Sequence, residues 1–226
     1  LSSLANSSYF GRILFETNWD GNQEIYMVNP DGSDPLNLTK STAIDFSPTW
    51  SPDRNSIAYN SGIGGNAEIF ILDLENMQTI NITNNPAKDW EPNWSPDGSQ
   101  IVFFTDRDGF SEIYTLMLDS LAPQRLTTSD FYDRQPAWSP NGNQIAFSSD
   151  QDGDWEIFLM DKNGMNEINL TNNEVFDLGP AWSPDGSMLV YASKLGDNWE
   201  IFSMEVSTRK ISRLTDNPTN DLNPVW

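Results

Sequence analysis

One spacing constrains this chain more than anything else in it: Trp50, Trp94, Trp138, Trp182 and Trp226 stand 44 residues apart. Other positions keep the same step without insertion or deletion. They are Asp45, Asp89, Asp133, Asp177 and Asp221; Glu24, Glu68, Glu112, Glu156 and Glu200; and Thr39, Thr83, Thr127, Thr171 and Thr215. A period of roughly 40 to 50 residues made of short apolar runs and turn signals predicts an all-β fold, a β-propeller with one four-stranded antiparallel blade per repeat. Five periods of 44 fill 220 of the 226 residues, so residues 13–226 read as a single five-bladed array and residues 1–12 as a poorly structured lead-in.

Within the third repeat the apolar alternation places strands over Pro92 to Ser95, Gln100 to Thr105, Glu112 to Leu118 and Gln124 to Thr127. Ser95-Pro96-Asp97-Gly98 joins the first two as a type I turn with Gly where positive φ is needed. Ser183-Pro184-Asp185-Gly186 and Ser139-Pro140-Asn141-Gly142 repeat it, whereas Arg54 takes the Gly position in the second repeat. The first repeat lacks its own innermost strand and the chain ends on an unaccompanied one, Asp221 to Trp226. Pairing of that C-terminal strand into the N-terminal blade predicts a closed ring.

Charge and composition exclude several functions. Twelve Lys and Arg against 33 Asp and Glu give a net charge of −21, which argues against nucleic acid or anionic lipid and for a basic or cation-bridged partner. With neither Cys nor His there is no thiol chemistry, no nucleophile triad of the usual kind and no imidazole metal site. No apolar run reaches the roughly 20 residues of a membrane span, which predicts no membrane insertion. The chain opens on Leu1, which reads as a processed or excised piece without its targeting segment.

The motif P-x-W-S-P-D-G, followed by I-A-F or I-V-F, then E-I-Y or E-I-F, then L-T, resembles the WD40-like (PD40) repeats of the TolB β-propeller family over residues 13–226. The resemblance implies a binding or gating module, often periplasmic or extracellular, and includes non-catalytic propellers attached to peptidases. Family propellers with six blades and a further N-terminal domain differ from the five repeats here.

Two groups of candidate site residues follow. Asp45, Asp89, Asp133, Asp177 and Asp221 precede the innermost strands, and ring closure would gather them at the axial mouth, where Ca²⁺, another hard cation or a partner's Lys or Arg would relieve their repulsion. In the alternative reading each merely accepts backbone N–H bonds and shapes the turn into its strand. No cofactor is required. Positions that vary between repeats point to recognition: Phe46, Trp90 and Arg134 just after the Asp, then Glu91 and Gln135, with Phe110, Trp155 and Trp199 in the neighbouring hairpin loops. The leading expectation is a monomeric, non-catalytic propeller that binds a protein or peptide over its acidic axial face. Its alternatives are a carbohydrate-active enzyme of glycosidase or lyase type using channel carboxylates, and a structural or gating propeller cut from a larger protein.

Overall fold

The computed structural model describes Tyr9 and residues 11–226, so most of the lead-in expected over 1–12 lies outside the described residues. Nineteen strands form five antiparallel sheets. The first holds β1 (Ile13–Thr17), β2 (Glu24–Val28) and β3 (Leu36–Asn37); the second β4 (Asp45–Trp50), β5 (Ser56–Ser61), β6 (Glu68–Asp73) and β7 (Gln78–Asn81). In the third are β8 (Asp89–Trp94), β9 (Gln100–Thr105), β10 (Glu112–Met117) and β11 (Ala122–Arg125). The fourth holds β12 (Asp133–Trp138), β13 (Gln144–Ser149), β14 (Glu156–Asp161) and β15 (Ile168–Asn169). The fifth holds β16 (Asp177–Trp182), β17 (Met188–Leu195), β18 (Asn198–Glu205) and β19 (Lys210–Arg213). Each sheet runs in chain order, which makes these the five blades of a β-propeller chain.

By contact density the chain divides at Trp94/Ser95 into two compact units, Leu1–Trp94 and Ser95–Trp226. In the first, Ile25, Met27, Leu38, Ile57, Tyr59, Phe70, Leu72 and Leu74 form a core against which Trp50 and Tyr9 pack. In the second, Ala146, Ile157, Leu159, Leu170, Leu189, Tyr191 and Met204 form another, with Trp182 against it. Middle strands such as Ile101-Val102-Phe103-Phe104 and Ile145-Ala146-Phe147 are buried on both faces, so they read as continuous apolar runs. Each fully buried side chain of this size stabilises the fold by about 1.5–3 kcal/mol. The outermost strands, by contrast, are largely exposed.

The S-P-D-G turns form as their residues require. Arg54, Gly98, Gly142 and Gly186 adopt φ of 61°, 72°, 69° and 72°, each donating its N–H to the carbonyl of the turn's Ser at 2.9 Å. The serine hydroxyl donates to Asp53, Asp97 and Asp185 at 2.6 Å and to Asn141 at 2.9 Å, and accepts the N–H five residues on. Left-handed geometry costs Arg54 roughly 1 kcal/mol. Its guanidinium lies 5.2 Å from the Trp50 ring, which offsets part of that.

Three details differ from the sequence reading. The innermost strand of the third repeat begins at Asp89 and not Pro92, because the Asp N–H is itself hydrogen-bonded; the outermost strand begins at Ala122 and not Gln124. A bulge interrupts the inner strands after Phe46, Arg134 and Leu178. Finally, the first sheet has three strands and residues 221–226 belong to no sheet, so closure by the C-terminal strand stays an expectation of the sequence.

Candidate functional site

The repeated acids build the frame around which the loops are hung. Glu24, Glu68, Glu112, Glu156 and Glu200 are all buried, at or near the start of β2, β6, β10, β14 and β18. Each accepts the hydroxyl of the repeat's Thr, at 2.5 Å for Thr83 and Thr127 and 2.7 Å for Thr215, with Thr39 and Thr171 bonded likewise. The same hydroxyl accepts the N–H of the Ile after the Glu at 2.9–3.1 Å. The second carboxylate oxygen takes loop N–H groups, as from Asn85 at 3.1 Å and Asn173 at 2.6 Å. In the third and fifth blades Arg125 and Arg213 pair with the Glu at 2.7 and 3.0 Å. In the other three blades Asn side chains or backbone N–H groups supply the remaining donors.

The aspartates proposed as cation ligands sit in the same frame. Asp45, Asp89, Asp133 and Asp177 are buried, and Asp221 is partly so. Each donates its N–H to the carbonyl 22 residues earlier at 2.7–2.9 Å. Each accepts from the side chain four residues earlier: Ser41 at 2.8 Å, Asn85 at 2.7 Å, Ser129 at 3.2 Å, Asn173 at 2.7 Å and Asn217 at 2.5 Å. Burial pushes the Asp45, Asp133 and Asp177 carboxyls up, Asp133 to about 6, against the pull of hydroxyl donors. Glu156 is likewise raised to about 6 by burial. Asp45 and Asp177 each keep one buried oxygen without a hydrogen-bond partner. Among the described residues no group of three or more acids stands close enough to hold a metal ion.

The hairpin-loop acids have partners too. Asp20 accepts from Tyr26 at 2.5 Å and from Asn37 at 2.8 Å, Asp108 from Tyr114, and Asp152 from Asn169 at 2.7 Å. They pin the hairpin tip to its own blade.

What breaks the repetition is the bulge and its surroundings. Ser47, Glu91, Gln135, Gly179 and Asn223, each two residues after the Asp, adopt φ of 51–67°. At the bulges the left-handed step re-aims the preceding side chain, that of Phe46, Arg134 or Leu178. In the second unit this gathers a group. The Arg134 guanidinium lies 5.1 Å from the Tyr132 ring, 5.4 Å from Trp155 and 6.0 Å from Phe104, and its Nε donates to Ser111 at 3.4 Å. Phe110 meets Tyr132 edge to face at 5.3 Å. Arg134 and Phe131 are exposed, Tyr132 is 38% exposed, and the Tyr132 N–H is held by Asp150 at 2.8 Å.

Of the recognition residues read from sequence, the structure therefore brings together Phe110, Arg134 and Trp155, with Gln135 beside them, its Oε1 accepting from Ser148 at 3.2 Å. Trp199 is apart from these, half-buried on the hairpin of the fifth blade, its N–H bonded to Asn220. In the first unit Phe46 is half-buried on β4, the Lys88 ammonium lies 5.9 Å from the Trp90 ring, and Glu91 donates its N–H to Asn60 at 2.9 Å. The sequence reading missed Phe131, Tyr132 and Phe176. Residues one before the Asp vary as freely as those after it, running Ile44, Lys88, Tyr132, Phe176 and Asn220, and that variation was the available signal.

A cleft of about 180 Å³ opens on the turn side of the second unit, lined by Ser95, Asp97, Trp138, Asn141 and Lys162 among others. Its acid and amide already serve the turns, Asp97 accepting from Ser95 and Ser99 and Asn141 from Ser139.

Comparison with known proteins accords with this geometry. Residues 62–136 and 132–226 match the family described as the TolB beta propeller domain. A 50-residue segment is 42% identical to the Tol-Pal system protein TolB of Desulfosudis oleivorans, covering 22% of this chain and 11% of that protein. TolB from Acinetobacter baumannii superposes with a TM-score of 0.82 at 25% identity over 95% of this chain and 55% of that one. An oligogalacturonate lyase in complex with manganese gives a TM-score of 0.73 at 18% identity over 92% of this chain and 63% of that one, a likeness of fold alone. The chain thus spans about half the length of its structural relative and matches about a tenth of its curated one.

Proposed function

The chain belongs to the TolB β-propeller domain family, and from that premise we propose that it is a non-catalytic module binding a protein or peptide through the loop side of its blades. One observation carries the reading: Phe110, Tyr132, Arg134 and Trp155 converge on a surface where every other repeated position is occupied in holding the fold. Aromatic and Arg side chains held in a solvent-facing group are what protein contacts use for most of their energy. The net charge of −21 adds long-range attraction for a basic partner, with an association rate that falls as salt rises. A hard cation bridging an individual repeat aspartate to the partner belongs to the same proposal. Similarity to a Tol-Pal system protein supports a periplasmic or extracellular setting.

A lyase or glycosidase reading needs a pair of uncommitted carboxylates. The buried Glu and Asp here are bonded to Thr, Ser, Asn and backbone groups, which favours binding over catalysis. The test uses immobilised wild type, Arg134→Ala/Trp155→Ala, and the turn-side variant Met165→Ser. A protein retained by the first and third but released by the second supports the proposal; equal retention by all three contradicts it.

A further inference from the structure

Among the described residues a side chain caps the left-handed N–H two residues after the repeat Asp at three of five positions, and Gln135, beside Arg134, is one of the other two. Ser47 donates its N–H to the Glu16 carboxylate at 2.6 Å, Glu91 to the Asn60 side chain at 2.9 Å, and Gly179 to the Ser148 hydroxyl at 3.1 Å. In each case the acceptor stands 31 residues earlier. The same step from Gln135 reaches Phe104, and from Asn223 it reaches Ala192, neither of which carries an acceptor in its side chain. Gln135 keeps the left-handed conformation of the others, with φ 55°, yet no side chain takes its proton.

Arg134 supplies the second donor. No carboxylate pairs with its guanidinium among the described residues; its neighbours are the Ser111 hydroxyl and the faces of Phe104, Tyr132 and Trp155. Arg125 and Arg213, by contrast, each pair with carboxylates. The rings flank the guanidinium, and a charge-assisted bond to a carboxylate is stronger than a neutral one.

We propose that Arg134 and the Gln135 N–H form a receptor for a carboxylate, the side chain of an Asp or Glu within an extended peptide whose apolar neighbours lie on Phe110, Tyr132 and Trp155. The inference rests on the loop-side binding reading and names the chemistry of one contact within it. An overall basic partner thus places one acid of its own at this point. The exposed rings supply the apolar half of the contact, and charge complementarity supplies the polar half.

The test follows backbone amide and Arg Nε–H signals of the ¹⁵N-labelled chain by NMR. One probe is an acetylated pentapeptide amide with glutamate between two phenylalanines; the others are its glutamine twin and digalacturonate. The glutamate peptide is expected to shift the Gln135 amide and the Arg134 Nε–H, binding about tenfold more tightly than the glutamine twin. Arg134→Ala should abolish the difference. Phe104→Asn installs the acceptor that Asn60 provides in the second blade, so it should protect the Gln135 amide from exchange and weaken the glutamate peptide by a similar factor. Equal binding of both peptides at the aromatic group overturns the carboxylate receptor and leaves the loop-side reading standing. Shifts of Gln135 with digalacturonate alone overturn the peptide in favour of a sugar acid. No shift at the group with any probe overturns both.

Discussion

The two ends of a blade solve opposite problems. At the turn end, Ser51, Ser95, Ser139 and Ser183 each close the same network with the acid or amide two residues on. At the loop end the frame is equally repetitive, Glu bonded to Thr and Asp bonded to Ser or Asn, but the residues around the bulge differ in every blade. The difference teaches that repetition marks the frame here. Residues that bond within their own blade recur, and where the repeat varies Tyr132 and Arg134 face outward.

Cutting the frame is the largest expected perturbation. Thr171→Val removes the hydroxyl that donates to Glu156 and accepts from Ile157, leaving a buried carboxylate and an N–H short of partners. The expected loss is about 2–3 kcal/mol in urea denaturation, with peptide binding intact. A loss below about 0.5 kcal/mol would break the claim that the repeated residues hold the fold.

Titration sharpens the same contrast. Asp133 and Glu156 hold their protons up to about pH 6 in the folded chain, against ordinary values of 3.8 and 4.5. Between the two sets of values the folded state binds more protons than the unfolded one, so these groups favour folding below about pH 4 and that contribution is lost as pH rises through 6. The melting temperature should therefore fall from pH 5 to pH 7.5, and fall less in Asp133→Asn. A rise over that interval, or an unchanged slope in the variant, would contradict the raised values.

At the loop end the pattern inverts. Arg134→Ala and Trp155→Ala should leave stability within about 0.5–1 kcal/mol of wild type while reducing partner binding. Stability losses above about 2 kcal/mol would place these residues in the frame instead.

Much of this was legible beforehand, and the remainder was hidden for a physical reason. The strands declared themselves because Ile101-Val102-Phe103-Phe104 and its counterparts are buried on both faces. Arg54 was identifiable as a left-handed residue because three glycines hold its place elsewhere. The bulge was not, since Ser47, Glu91 and Gln135 show no local preference for φ above zero, and Ser47 and Glu91 are held there by acceptors 31 residues away. Tyr132 escaped because variability was read after the Asp and not before it. The aspartates were read either as axial cation ligands or as residues shaping the turn, and the local hydrogen bonds of Asp45, Asp89, Asp133 and Asp177 belong to the second role.

Two smaller effects complete the comparison. Adding a chelator should shift the melting temperature by less than about 1 °C if the Asp oxygens are satisfied within their blades, whereas a fall of several degrees would establish a bound cation. Arg54→Gly relieves left-handed strain of roughly 1 kcal/mol but forfeits the contact with Trp50, so its net effect should lie within about 0.5 kcal/mol of zero. A gain above 1 kcal/mol would show that the ring contact contributes little.

The most direct test places a photo-crosslinking residue at Tyr132 on the loop end, or at Met165 on the turn end, in the cells that make the protein. Both side chains are exposed, so either can react with whatever lies against it. The account predicts a discrete protein adduct from position 132 and none from position 165. Adducts from 165 alone, or equal adducts from both, would contradict it.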